Sequence, residues 1–219
     1  MADPPGRLLQ AIRELDEITR RLRRECPWDR EQDERSIVPH TVEEAYELAD
    51  AAQSGDDAKM LDELGDVLFQ VLFLSLLLEE RGQGSLAEVA DHCRAKLIRR
   101  HPHVFGGRAE AAGSAGGPPT RFLAAESAGE VIRNWNQIKR EDERGGQIFG
   151  EIPETLPSTL YAKKILKRAE AAGERPDGAP ADAGERLLSA VQEAVAAGVD
   201  PELALRRAAD RFREQVERA

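Results

Sequence analysis

Cysteine is scarce in this 219-residue chain. Cys26 and Cys93 are the only two, they form no C-x-x-C pair, and they exclude both a disulfide framework and a thiolate metal cluster. With no apolar leader at the start, both read as free thiols of a reducing compartment, and the cytoplasm is the expected location. Aromatic residues are only 5% of the chain and β-branched runs are few, so the alternating segments that strands require are missing. A membrane-length apolar run is also absent. The longest, VLFQVLFLSLLL from Val67 to Leu78, is interrupted by Gln70 and Ser75 and is too short to cross a bilayer. Excess positive charge is lacking too, since 31 Lys and Arg stand against 41 Asp and Glu, a net charge of −10. That balance opposes binding of long nucleic acid through a basic surface. A small anion carried by Mg²⁺ remains compatible with it.

What the chain has in quantity is Ala, Leu, Glu and Arg at helical spacing, and the expected fold class is all-α. At 41% apolar it can bury a core, as one domain or a domain with an appendage. A first helix over about Arg7 to Arg24 follows from Leu8, Ile12, Leu15, Ile18 and Leu22, and Pro27 in the CPWD loop stops it. A second is expected to start at Thr41, where T-V-E-E makes a capping box that competes for Glu44. A third runs from about Asp57 to Glu80, ending at Gly82. A fourth opens with the box S-L-A-E at Ser85 to Glu88 and stops near Pro102. The third is apolar nearly all round, which calls for partners beyond three short neighbours and so for an oligomer.

Two pairs of acids carry the chemistry: Glu44 and Glu47 in HTVEEAYELAD, and Glu63 and Asp66 in LDELGDVLFQ. Residues three apart share a helix face about 4.5 Å apart along the axis, so each pair presents two carboxylates to one point. The short SGDDA segment between the helices favours an antiparallel hairpin that sets the pairs against each other. Four such carboxylates repel unless a divalent cation neutralises them. Acids at this spacing are commonly just a solvated face, as at Glu31, Asp33 and Glu34. Glu63 and Asp66, however, adjoin the most apolar run, where a buried unpaired carboxylate is costly, and this favours a metal. A carboxylate cage selects Mg²⁺ or Mn²⁺ over Zn²⁺. His101 and His103 are not read as ligands, because Pro102 breaks their helical spacing.

Beyond the first four helices the composition shifts. The expected layout is a catalytic helical unit over 1–105, a Gly/Pro-rich linker or lid over 106–125, a helix over 126–145 that completes the site, and a further helical region over 157–219. DELGDVLFQVL from Asp62 aligns with ADAGERLLSAV from Ala181 at a constant offset, so that Glu63 meets Asp182 and Asp66 meets Glu185. The last region is then a shortened second copy that has lost half of its cage, or simply two amphipathic helices of similar composition.

The ordered segments CPWDREQ, TVEEAYEL, ELGDVLFQV, KLIRRHPHVFG and WNQIKREDE resemble the MazG family of nucleoside triphosphate pyrophosphohydrolases over roughly Leu8 to Glu143. The resemblance implies an all-α, four-helix unit that dimerises, with additional C-terminal helices, and Mg²⁺-dependent cleavage of a nucleoside triphosphate to monophosphate and pyrophosphate. Attack at the α or the β phosphorus gives the same products. The implied ligands are Glu44, Glu47, Glu63 and Asp66, and Glu43 is read as an outer-shell group or general base. It also implies triphosphate contacts at Lys96 and Arg100, with Arg99 beside them, against a plain cationic helix end as the alternative. Trp135 and Lys139 match the family's late W-x-x-x-K element, suggesting a ring against the base and an ammonium on phosphate. Lys59, four before Glu63, either pairs with that acid or reaches a phosphate. Trp28 is either a wall for the base or an anchor for its loop. The expected substrate is therefore an NTP or dNTP, in nucleotide-pool housecleaning. Phosphoribosyl-ATP hydrolysis and a catalytically weak nucleotide-binding regulator are the alternatives.

Overall fold

The computed structural model describes residues 5–105, 127–143, 148–176 and 178–218. Among them every regular element is helical: α1 Pro5–Glu25, α2 Pro27–Glu31, α3 Glu34–Ser54, α4 Asp57–Glu80, α5 Leu86–Arg100, α6 Pro102–Phe105, α7 Ala128–Glu143, α8 Ser158–Glu170, α9 Ala183–Ala196 and α10 Pro201–Glu217. The all-α class is thus observed. The expected linker over 106–125 lies outside the described residues. No described helix is long and apolar enough to cross a membrane. The described residues fall into two compact units, one through Arg99 and one formed by Arg100 to Phe105 with the residues from 127 onward.

The first unit is built on the α3–α4 hairpin. Gly55 closes α3 in the left-handed conformation (φ 69°), which a side chain would resist, and Asp56 then opens α4 by accepting hydrogen bonds from the N–H groups of Ala58 and Lys59. Ile37 of α3 packs with Phe73 and Leu77 of α4 as the core, with Phe69 and Leu74 against them. Helix α1 docks on the far half of α4 through two guanidinium forks, Arg20 on Glu79 and Arg23 on Glu80.

Two boundaries differ from the sequence expectation. Helix α3 starts at Glu34 rather than Thr41, because Asp33 and Ser36 make the capping box: Ser36 N–H donates to Asp33 Oδ1 at 2.9 Å and Asp33 N–H to Ser36 Oγ at 2.9 Å. Pro39 lies inside the helix, where it has no N–H to donate, and the helix continues through it. Thr41 Oγ1 instead donates to the Ile37 carbonyl at 3.4 Å, so Glu44 is released from capping. The CPWD segment, expected as a loop, winds into α2 with Pro27 at its first turn.

In the second unit α8, α9 and α10 pack around Leu166 and Val191. Lys163 of α8 pairs with Asp200, which caps α10 by accepting from Leu203 N–H at 3.1 Å, and Thr159 donates to Glu202. Helix α9 begins on a reciprocal pair: Asp182 accepts from Glu185 N–H at 2.8 Å, and Glu185 accepts from Ala181 N–H at 2.6 Å.

Candidate metal and nucleotide site

The hairpin brings carboxylates from two helices to one point. Glu44 of α3 and Glu63 and Asp66 of α4 each offer an oxygen, and the three oxygens lie within 4.8 Å of one another. Glu63 is buried, Glu44 half-buried and Asp66 exposed, so the trio opens to solvent on the Asp66 side. There a surface recess is lined by Asp56, Lys59, Asp62 and Asp66. Burial, then the charges of Asp66, Glu47, Glu63 and Glu43, push the Glu44 carboxyl above its ordinary 4.5. Glu63 is also raised, by burial first and then by Glu47, Asp62 and Asp66, with Lys59 pulling the other way. Both carboxyls therefore resist ionisation more than an ordinary glutamate does. Three converging hard oxygens, two of them in a setting that resists charge, fit a divalent cation of the Mg²⁺ or Mn²⁺ type. One side open to solvent leaves room for ligands from outside the chain.

The remaining predicted residues divide sharply. Glu47 is exposed and outside the trio, acting on Glu44 and Glu63 through its charge. Glu43 is exposed, and its Oε2 lies 3.2 Å from His40 Nδ1. The His40 ring meets Trp28 edge-on with centroids 5.9 Å apart, and Trp28 is half-exposed. The CPWD turn is anchored by another residue. Arg23 Nη1 donates to the Asp29 carbonyl at 2.5 Å and the Gln32 carbonyl at 3.0 Å while its other nitrogens hold Glu80. Lys59 has its ammonium in the trio's field. Lys96 and Arg99 are half-buried on α5. Arg100 and Trp135 meet within the second unit, the guanidinium carbon 5.4 Å from the ring centroid. The side chain of Lys139 lies outside the described residues. Sequence reasoning gave no place to His40, which meets Glu43 and Trp28, or to buried Gln70 on the α4 face of Glu63 and Asp66. The spacing 63–66–70 along one face of α4 was the available signal for Gln70.

Residues 32–105, an interval that contains the whole trio, match the model of the MazG nucleotide pyrophosphohydrolase domain. The MazG nucleoside triphosphate pyrophosphohydrolase/pyrophosphatase of Thermotoga maritima is 32% identical over 232 residues, covering 94% of this chain and 84% of that protein. The chain belongs to the MazG family. An uncharacterized 26.1 kDa protein encoded in the blaB 3′ region of Streptomyces cacaoi is 36% identical over 221 residues, 99% of this chain and 84% of its own length. The nucleoside triphosphate pyrophosphohydrolase of Escherichia coli is 36% identical over 151 residues. This MazG chain spans about half of that protein, since the match covers 52% of its length.

Proposed function

We propose that this MazG protein hydrolyses nucleoside triphosphates, ribo- or deoxyribo-, to the monophosphate and pyrophosphate, as a cytoplasmic enzyme that clears nucleotides from the pool. The observation that carries the reading is the Glu44, Glu63 and Asp66 trio, supported by its place inside the matched domain. Glu44, Glu63 and Asp66 would hold Mg²⁺ or Mn²⁺, with Glu47 beside them. When bound, the ion supplies charge neutralisation and alignment for the triphosphate oxygens. The chain's own part is electrostatic and positional. Lys59, next to the trio, and Lys96 of the same unit supply positive charge for phosphate oxygens. Exposed Glu43 orients a water and takes its proton as the water oxygen bonds to the α or the β phosphorus and the anhydride bond between the two breaks, giving monophosphate and pyrophosphate.

The enzyme works as a homodimer or higher homo-oligomer in this reading. Support comes from α4, where Leu61 (74% exposed), Leu64 (47%) and Val71 (39%) repeat at helical spacing on a face left exposed among the described residues. The region over 157–219 is read as a degenerate second copy. The deciding experiment is product analysis with the eight common NTPs and dNTPs, with and without Mg²⁺. Monophosphate and pyrophosphate formed only with metal are expected. Orthophosphate as the released product, or metal-independent turnover, would overturn the reading.

A further inference from the structure

On α4 the buried polar side chains are Glu63, Gln70 and Ser75. Glu63 belongs to the trio, and Ser75 Oγ donates to the Val71 carbonyl at 2.7 Å. Gln70 is different: it is 6% exposed and its buried Oε1 has no hydrogen-bond partner among the described residues. A buried acceptor left unpaired is costly, so its retention within an apolar run calls for a donor from outside the chain.

The position of Gln70 narrows the choice of donor. Residues 63, 66 and 70 share one face of α4, and helical side chains lean back over the turn before their own Cα. The Gln70 amide therefore covers the turn that carries Asp66. When ionised, the carboxylates there are acceptors only and have no proton to offer a carbonyl. The water around a divalent cation has O–H donors to spare.

We propose that Gln70 is a positioning residue whose Oε1 accepts a hydrogen bond from the hydration shell of the cation held by Glu44, Glu63 and Asp66. The inference rests on the proposed metal site and extends it to a group outside the carboxylates. A carbonyl at that point fixes the orientation of the ion's shell, as outer-shell partners do in metal sites generally.

The test uses the full chain stripped of metal, with Mn²⁺ binding followed by electron paramagnetic resonance of the free ion and thermal melting recorded without metal. Gln70→Met keeps the bulk and removes the carbonyl. Its metal-free melting temperature should stay level or rise, because a costly buried group is gone, while Mn²⁺ affinity falls about 10- to 100-fold. Gln70→Asn, which draws the same carbonyl back by one methylene, should show the same loss, and either variant suffices if the other fails to fold. A purely structural Gln70 predicts unchanged Mn²⁺ affinity in the folded variant, and that result overturns the proposal. Wild-type protein that binds no Mn²⁺ and releases no pyrophosphate overturns the functional reading itself. Wild-type binding that Gln70→Met leaves untouched overturns only the role of Gln70.

Discussion

Helices α4 and α9 carry acids at the same spacing and use them for opposite purposes. Glu63 and Asp66 lie within α4, past its first turn, where backbone N–H groups are already taken by the helix, so their carboxylates are left to face Glu44. Asp182 and Glu185 sit at the start of α9, where the N–H groups are free, and both are consumed there. One pair is left open to a ligand, the cation proposed above, and the other is taken up by a helix end. The difference teaches that an acid's place along its helix, more than its spacing, decides its chemistry.

The sharpest way to break that comparison is to neutralise members of the trio and, separately, the α9 pair. Glu44→Gln and Asp66→Asn should each cut Mg²⁺-dependent pyrophosphate release by about 100-fold or more with the circular dichroism spectrum intact. Asp182→Asn with Glu185→Gln should leave turnover unaltered. Full activity in either α3–α4 variant would remove the trio from the mechanism.

The carboxyls of the trio and Asp200 of the second unit should respond to pH with opposite sign. Glu44 and Glu63 have raised pKa values in the folded chain, so their own contribution to the metal-free first unit is largest where both are protonated and is lost as pH rises from the ordinary 4.5 through the folded values, against the lowered Asp33 and Glu79 of the same unit. Asp200 is lowered. Burial pushes it up, but the bond from Lys163 and the backbone N–H groups at the helix start outweigh burial. Its contribution is present above the unfolded pKa and disappears as pH falls through the folded one. Melting curves at pH 5 and pH 7.5 should therefore show a Mg²⁺-induced rise that is larger at the higher pH. An equal rise at both would separate Glu44 and Glu63 from metal binding.

The smallest expected effect comes from the helix starts. Asp182→Ala and Asp33→Ala each remove a side-chain acceptor and should cost about 1 kcal/mol, read by urea denaturation. A cost near zero at Asp182 would mean that it is not held by capping.

The hairpin was legible because Gly55 and Asp56 are unambiguous stop and start signals and the acids on either side keep strict spacing. Thr41 misled because T-V-E-E satisfies the capping pattern while lying inside a helix. Only the backbone shows that its N–H groups were already bonded from an earlier start at Asp33. The separation of Glu47 from the trio could not be read from spacing either. The 44–47 pair shares a face, but where α4 crosses α3 decides which of the two meets Glu63 and Asp66. Arg23 as the anchor of the CPWD turn was equally hidden, because its partners are two backbone carbonyls and Glu80 from a distant helix.

The trio draws all its members from one helical hairpin, residues 44–66, so its geometry is set by local chain closure. Such contacts cost little loop entropy and form early when a chain collapses. The repulsion among the carboxylates is then met at the outset of folding, when the hairpin first shuts. A divalent ion held there would speed refolding with little effect on unfolding, and in a chevron plot its imprint would fall on the refolding limb.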